Sequence, residues 1–181
     1  MRDLVVTENV TLDGVIDAAG GWFDVADDAA DAELAEAVRA HGAGADAVVF
    51  GRRTFEDMRG YWPERAGEPG GVGEYLDRVK KFVVSRTIGD PGWANSTVLS
   101  GDLGAEVRAL KDRPGKDIVT TGSITLVHAL IAEGLVDEYR LFVHPVVLGR
   151  GARLFEEATP RLRLVECRSF RSGVVLLRYR V

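Results

Sequence analysis

Cysteine is nearly absent from this chain of 181 residues, in which Cys167 is the only one. A single cysteine cannot form an intrachain disulfide, and it cannot supply a four-cysteine zinc site or a CxxC redox pair. Histidine is also scarce, and His41, His128 and His144 are too far apart in sequence to show the spacing of metal ligands. We therefore expect no bound metal, and a reducing cytoplasm as the compartment.

Long apolar runs and runs of basic residues are missing as well. No stretch approaches the roughly 20 apolar residues that span a bilayer, and the first residues lack the apolar core of a signal peptide. The net charge is −5 and the basic residues are scattered along the chain. We therefore expect neither a membrane nor a nucleic acid as a partner.

What remains is the composition of an ordinary globular protein. Hydrophobic residues make up 46% of the chain and charged residues 28%, which leaves no room for a long disordered tract. A chain of this length is large enough to bury one sizeable core. We predict a single domain over residues 1–181.

Short β-rich runs alternate with amphipathic segments along most of the chain. The predicted strands are residues 4–7, 46–50, 81–85, 96–99, 117–121, 138–147, 162–170 and 174–180, and the predicted helices are 27–40, 52–58, 102–111 and 123–133. Residues 64–73 contain four glycines and no periodicity, which predicts a mobile loop. The last two strands form a hairpin across Arg171-Ser172-Gly173. This order predicts an α/β fold, with a mostly parallel central sheet, helices on both faces and a C-terminal antiparallel hairpin.

The end of the second predicted strand carries groups suited to phosphate. Gly51, Arg52, Arg53 and Thr54 place two guanidinium groups and a hydroxyl at the start of a helix, where free N–H groups attract anions. On spacing alone, the simpler interpretation is a solvated helix start in which Thr54 and Asp57 form a capping box.

Two further strand ends have similar chemistry. Ser85 and Arg86 follow the third strand, on the side of an open α/β sheet where ligands bind, although such residues are common after strands. Thr121, Gly122 and Ser123 lead into a helix, so a pyrophosphate could lie on the N–H groups of Ser123 and Ile124. Ser123 as an ordinary N-cap is the alternative.

Two tryptophans, Trp22 and Trp62, are candidates for stacking on a flat substrate ring. A tryptophan in a loop more often covers apolar surface. Both interpretations stay open on the sequence alone.

Taken together, these segments resemble the dihydrofolate reductase superfamily, and more closely the branch of the C-terminal reductase domain of the bifunctional riboflavin-biosynthesis protein. The resemblance covers nearly the whole chain, and the order and spacing of its motifs are more specific than any one of them. The motifs are Thr11-Leu12-Asp13-Gly14, Gly51-Arg52-Arg53-Thr54-Phe55, Tyr61-Trp62-Pro63, Val84-Ser85-Arg86-Thr87, Thr121-Gly122-Ser123 and His144-Pro145-Val146-Val147-Leu148-Gly149.

The resemblance implies NADPH as cofactor and assigns parts of it to these motifs. Arg52, Arg53, Thr54, Ser85 and Arg86 would hold the adenosine phosphate end. Gly122, Ser123 and Ile124 would receive the pyrophosphate. The loop containing Asp13, Gly14 and Val15 would close on the nicotinamide.

The implied function is NADPH-dependent reduction of a small heterocycle, either a ribosylamino-pyrimidine of riboflavin synthesis resembling 5-amino-6-(5-phosphoribosylamino)uracil or a pterin-like compound. The proton would come from water, from Asp13 or from Asp28. An NADPH-binding protein without turnover and a true dihydrofolate reductase are the alternatives. No acid on the first helix clearly matches the one that grips the pteridine in dihydrofolate reductases, and Ser123 replaces their second glycine, which argues against their non-proline cis peptide.

The C-terminal strands predict a homodimer. They contain apolar runs at 141–147 and 174–177, and continuous apolar runs are typical of strands covered on both faces. The riboflavin branch associates through this part of the sheet. Several arginines near these strands could instead protect the edge of a monomer.

Overall fold

An eight-stranded sheet organises the protein, whose computed structural model describes residues 1–19, 21–22, 31–65, 71–156 and 160–181. The strand order is β4-β3-β2-β5-β1-β6-β8-β7. The strands are β1 Leu4–Thr11, β2 Ala45–Gly51, β3 Lys80–Val84, β4 Ser96–Leu99, β5 Asp117–Thr120, β6 Glu138–His144, β7 Arg163–Ser169 and β8 Val175–Arg180. The first six pair in parallel, whereas β8 is antiparallel to both β6 and β7.

Helices cover both faces of the sheet. The described residues form five α-helices, α1 Ala32–Ala43, α2 Arg52–Tyr61, α3 Val72–Arg78, α4 Leu103–Lys111 and α5 Ile124–Ala132, together with a 3-10 turn at Pro63–Arg65. Side chains of α4 and α5 pack on one face, in a core that includes Val6, Val10 and Ile118. Side chains of α1, α2 and α3 lie on the opposite face, against Phe142 and Phe50. The predicted fold class is confirmed.

The strand β1 is longer than the predicted 4–7, because two polar residues belong to it. Glu8 and Asn9 interrupt the apolar run, yet β1 pairs with β6 as far as Thr11 opposite His144. Alternate side chains of a strand point to opposite faces, so Glu8 shares a face with Val6 and Val10. The ladder with β6 therefore carries one buried and one half-buried polar side chain, Glu8 and Asn9.

Two helical predictions need correction. The described part of the first predicted helix starts at Ala32, because the Asp31 carboxylate accepts hydrogen bonds from the amides of Glu33 and Leu34 and so caps the helix there. The predicted loop at 64–73 is wrong from position 71 onward, since Gly71 adopts a left-handed φ of 68° and α3 follows it. The buried ammonium group of Lys81, on β3, donates to the carbonyls of Leu76 and Val79 at the end of this helix. These bonds satisfy carbonyl groups at the C-terminus of α3.

Candidate active site

The parallel strands end together at one edge of the sheet. Register pairs place Gly51 opposite Val84 and Thr11 opposite His144. The segments after these ends are those in which the sequence predicts ligand-binding residues, so the fold brings the predicted motifs to a common edge. In open α/β sheets this edge is where ligands bind.

A gap opens along this edge because β5 is shorter than its neighbours. β5 ends at Thr120, opposite Val6, whereas β1 continues to Thr11. On the other side, β2 pairs with β5 only as far as Val48 and then continues to Gly51. The turn at 121–123 occupies the space between β1 and β2, and α5 starts from it.

Three hydrogen bonds hold this turn. The Ser123 hydroxyl accepts from the Gly51 amide at 3.0 Å, the Thr54 hydroxyl accepts from the Ser123 amide at 2.9 Å, and the Gly122 amide donates to Glu8 Oε2 at 3.0 Å. Gly122 and Ser123 both have positive φ, 58° and 53°. A Cβ on Gly122 would lie 3.2 Å from the Thr54 methyl group, so glycine permits both the conformation and the approach of α2.

These contacts correct both capping interpretations. Within the described residues, α2 has Gly51 as its N-cap and α5 has Ser123, and neither helix has a side-chain cap hydrogen bond. The Thr54 and Ser123 hydroxyls bind the neighbouring segment instead. The Ser123 amide is engaged with Thr54, which leaves the Ile124 amide as the predicted pyrophosphate donor at the start of α5. The described peptide bonds are all trans.

Three arginines surround this edge with positive charge. Arg52 and Arg53 start α2, Arg86 follows β3, and all three are exposed. In the described part of the chain they have no carboxylate within salt-bridge distance. Ser85 is buried, and its hydroxyl accepts from the amides of Thr87 and Ile88, each at 3.1 Å. Ser85 therefore shapes the turn from which Arg86 projects.

The loop after β1 is fastened to the segment after β6 by Asp13. Its carboxylate accepts from the Thr11 hydroxyl at 2.6 Å and from the amides of Gly149 and Leu148 at 2.8 and 3.3 Å. The Thr11 bond, followed by that of Gly149, lowers the pKa of Asp13 to about 2. Such a carboxyl group is ionised at neutral pH, so these contacts argue against Asp13 as the proton donor.

The same loop presents Gly14 and Val15 close to residues 152–154. Gly14 has a φ of 87°, and its carbonyl accepts from the Leu154 amide at 3.1 Å. Val15 is buried and forms an isolated bridge with Arg153. The loop predicted to close on the nicotinamide is thus anchored at both ends.

A polar cluster lies at this edge on the face covered by α1. His144 Nε2 is 3.0 Å from Asn9 Oδ1, and Trp22 meets the His144 ring edge-on at a centroid distance of 5.3 Å. Trp22 Nε1 also donates to the Asp17 carbonyl at 2.7 Å. Burial lowers the pKa of His144, so its imidazole is neutral at pH 7. The structure therefore places Trp22 against His144, whose ring also contacts Asn9.

The second predicted substrate residue, Trp62, and the second candidate proton donor, Asp28, are placed differently. Trp62 Nε1 contacts Met58 Sδ at 3.0 Å, and its ring packs edge-on against Tyr61 at 5.1 Å. These contacts lie within its own helical segment and favour a packing role. Asp28 lies outside the described residues.

Sequence reasoning missed Glu8, Asn9 and His144 as site residues. The available signal was the pair of polar residues Glu8 and Asn9, which interrupts an apolar run that resumes at Val10, just before Thr11-Leu12-Asp13-Gly14. With the strand predicted to end at residue 7, both fell in a loop.

A depression of about 660 Å³ lined by Phe82, Trp93 and other residues lies elsewhere, near the starts of β3 and β4.

The sequence matches the RibD C-terminal domain family over residues 2–176. It is 35% identical to the uncharacterized protein YyaP of Bacillus subtilis strain 168, in an alignment that covers 98% of this chain and 94% of YyaP. It is 28% identical to the uncharacterized protein YwjB of the same organism, over 97% of this chain and 96% of YwjB.

Solved structures share the fold. A pyrimidine reductase-like protein from Corynebacterium diphtheriae is similar at a TM-score of 0.68 and 18% identity, with 99% of this chain and 92% of that chain covered. A diaminohydroxyphosphoribosylaminopyrimidine deaminase/5-amino-6-(5-phosphoribosylamino)uracil reductase from Thermotoga maritima is similar at 0.67 and 16% identity, with 99% of this chain but 56% of that chain covered. Within the described ranges, every helix is too short or too polar to span a bilayer.

Proposed function

This chain belongs to the RibD C-terminal domain family, and from that premise we propose that it is an NADPH-dependent reductase of a small heterocyclic substrate. One observation carries the proposal: three exposed arginines follow the ends of β2 and β3, and α5 starts from the turn between β1 and β2, so that all of them lie at the edge where the parallel strands end. Guanidinium groups pair with phosphates, and the free N–H groups of a helix start attract anions. NADPH presents a 2′-phosphate and a pyrophosphate, so the donor set fits this cofactor.

Each motif has a role in this proposal. Arg52, Arg53 and Arg86 bind the 2′-phosphate end, while Ser85 shapes the turn that carries Arg86. The Ile124 amide binds the pyrophosphate. Gly122, Ser123 and Thr54 hold the turn from which α5 starts, and so fix the position of this amide.

The reacting end lies where the 11–16 loop meets β6. When bound, NADPH supplies a hydride to the substrate ring. Asp13 keeps its loop docked on residues 148 and 149, so that Gly14 and Val15 stay at the nicotinamide end of the site. Asn9 and neutral His144 offer hydrogen bonds to a polar ring, and Trp22 lies against His144. Because Asp13 is ionised, we propose that water delivers the proton.

The substrate that we propose is a ribosylamino-pyrimidine like that of riboflavin biosynthesis, or a pterin-like ring. A true dihydrofolate reductase receives less support, because Asp31, the one of the candidate acids Asp27, Asp28 and Asp31 that lies within the described residues, caps α1 and also accepts from the Ser172 amide at 2.8 Å. An NADPH-binding protein without turnover remains the second candidate.

Oxidation of NADPH, followed by its absorbance in the presence of candidate pyrimidines and pterins, tests the proposal. We expect turnover with a pyrimidine and little with dihydrofolate. Tight NADPH binding without oxidation by any ring would favour the binding protein. Absence of NADPH binding would overturn the proposal.

We further propose a homodimer in a reducing cytoplasm. The exposed Cys167 thiol has no disulfide partner in the chain, which suits that compartment. The dimer rests on the edge strand β7, where Leu164 and Val165 are exposed.

A further inference from the structure

Glu8 is a buried acid of β1 beside the turn at 121–123. Its residue exposure is 3%, and it shares the face of β1 that packs under α4 and α5. Oε2 accepts a hydrogen bond from the Gly122 amide, whereas Oε1 is buried and has no hydrogen-bond partner among the described residues. One oxygen of the Glu8 carboxyl group thus contacts the turn from which α5 starts, and the other oxygen makes no hydrogen bond to the described residues.

No positive charge compensates this acid in the described part of the chain. Its cross-strand partner on β6 is Leu141, and the β5 residue on the same face is Thr120. The titratable and charged groups of the elements packed around it include Tyr139 on β6, Asp117 on β5, His128 on α5, Lys111 on α4, Arg52 and Arg53 on α2, and Asp13 after β1.

Each of these groups is engaged elsewhere, points into solvent or is uncharged at neutral pH. Asp117 pairs with Arg140, Lys111 with Asp137, and His128 Nε2 contacts the Arg153 carbonyl. Asp13 is held by Thr11 and Gly149. Tyr139 is buried and its pKa is raised to about 12, and the two arginines are exposed.

A buried carboxyl group with one neutral donor and no counter-ion is costly to ionise. Burial accordingly raises the pKa of Glu8 well above its ordinary value, and the Gly122 hydrogen bond only partly opposes this. A protonated carboxyl has an O–H group that can donate to an anion, whereas an ionised one only accepts and would repel it.

We propose that Glu8 is a positioning residue whose protonated form holds the Gly122–Ser123 turn and admits an anionic pyrophosphate to the start of α5. The inference rests on the proposed function, because the anion is that of the cofactor. Ionisation of Glu8 would bring a second negative charge to the same turn. The protein should therefore bind NADPH most tightly while Glu8 is neutral.

The test is the dissociation constant of NADPH for the wild type and Glu8→Gln, measured by fluorescence between mildly acidic and alkaline pH. The wild type should lose affinity as pH rises, by up to about tenfold per pH unit while Glu8 ionises in the free protein. Glu8→Gln is isosteric and cannot ionise, so its affinity should stay high at alkaline pH. The 2′-phosphate of NADPH titrates at about pH 6 and affects both proteins equally, so the difference between the two pH profiles is the readout.

Thr120→Val is the matched control. It removes a second buried polar group on the same face, a hydroxyl that has no hydrogen-bond partner among the described residues, and it changes no charge. It should keep the wild-type pH profile. An infrared difference spectrum of wild type minus Glu8→Gln, recorded at neutral pH, should contain the band of a protonated carboxyl group and needs no bound cofactor.

The outcomes separate two failures. If both proteins bind NADPH with the same pH profile, or the infrared band is absent, the Glu8 inference is wrong and the cofactor assignment stands. If neither protein binds NADPH at any pH, the cofactor assignment is wrong and the role of Glu8 in admitting its pyrophosphate falls with it.

Discussion

Two glutamates in this sheet are equally buried, at 3% exposure each, but they have opposite surroundings. Glu8 lies where the strands end and has no ion-pair partner among the described residues. Glu138 lies at the start of β6, where its Oε1 accepts from Arg140 Nε at 2.7 Å and Arg178 Nε at 3.0 Å. Burial opposes ionisation of Glu138, but the hydrogen bonds and charges of Arg140 and Arg178 outweigh it and lower its pKa.

The difference separates a structural region from a candidate functional one. Arg178 of β8 also binds Glu166 of β7 at 2.9 Å, and Arg140 binds Asp117 of β5 at 2.9 Å. This network joins the antiparallel hairpin to the parallel sheet, with each charge paired. An unpaired buried acid is instead typical of sites that bind or react.

The largest effect that we expect is on stability, from breaking the paired region. Glu138→Ala leaves two guanidinium groups without their shared partner, which costs about 3–5 kcal/mol when a buried ion pair loses one member. Urea unfolding at pH 7 measures the loss. Arg163→Ala, an exposed arginine of the same hairpin, is the control and should change stability by under about 0.5 kcal/mol.

The pH dependence checks the same network. Because the folded-state pKa of Glu138 is below its unfolded value, its stabilisation is complete at neutral pH and is lost as pH falls through the folded-state pKa. The difference between wild type and Glu138→Ala should therefore shrink in acid. A difference that is constant with pH would contradict an ionic role for Glu138.

The second prediction compares arginines of the two regions. Arg52→Ala should weaken NADPH binding by about 10- to 100-fold, since a hydrogen bond to a charged group contributes about 1.5–3 kcal/mol, and should leave NADH binding nearly unchanged. Calorimetry with both cofactors measures this. Arg171→Ala, at the exposed hairpin turn, should affect neither. Equal losses for NADPH and NADH would place the 2′-phosphate elsewhere.

The two regions also differ in how far the sequence predicts them. The hairpin and the strands from 81 onward follow from alternation and turn residues within a few positions, because their local signals agree with the final pairing. Glu8 and Asn9 do not follow, since the ladder with β6 overrides two residues that favour a loop. The cross-segment bonds of Thr54 and Ser123 could not be predicted either, because each joins positions 69 or more residues apart.

The third prediction reverses the sign of the first. Glu8→Gln should raise the free energy of unfolding at alkaline pH, by roughly 1 to 2 kcal/mol for an unpaired buried polar group. Because the folded-state pKa of Glu8 is raised, the contribution of Glu8 to the free energy of unfolding is complete below its ordinary pKa. This contribution is lost as pH rises through the folded-state pKa. Urea unfolding at mildly acidic and at alkaline pH measures it. A lower stability of Glu8→Gln at both pH values would show that the carboxylate is compensated.

The smallest effect on the folded chain is expected at the outer edge of the hairpin, where the homodimer is proposed. The apolar runs that predict the dimer are largely covered within the chain: Leu141, Val174 and Leu176 are buried. The proposed contact is therefore at β7, an edge strand that pairs with β8 on one side. There Leu164 and Val165 are 51% and 43% exposed.

A Leu164→Lys/Val165→Lys variant should therefore change the mass in solution but hardly the stability. Both side chains are already half exposed, so urea unfolding of the variant's monomer should stay within about 0.5 kcal/mol per site of the wild-type monomer at equal dilution. Light scattering of the wild type at micromolar concentration should give twice 19.7 kDa, and the variant should give the monomer mass, because new charges on an edge strand oppose pairing with a second copy.

Leu12→Lys is the matched control, since Leu12 is also exposed but lies after β1, and it should stay dimeric. A wild type that remains at the monomer mass across a tenfold range of concentration would mean that Arg163, Glu166 and Arg168 are sufficient to guard the edge, and that the hairpin ends the sheet without a partner.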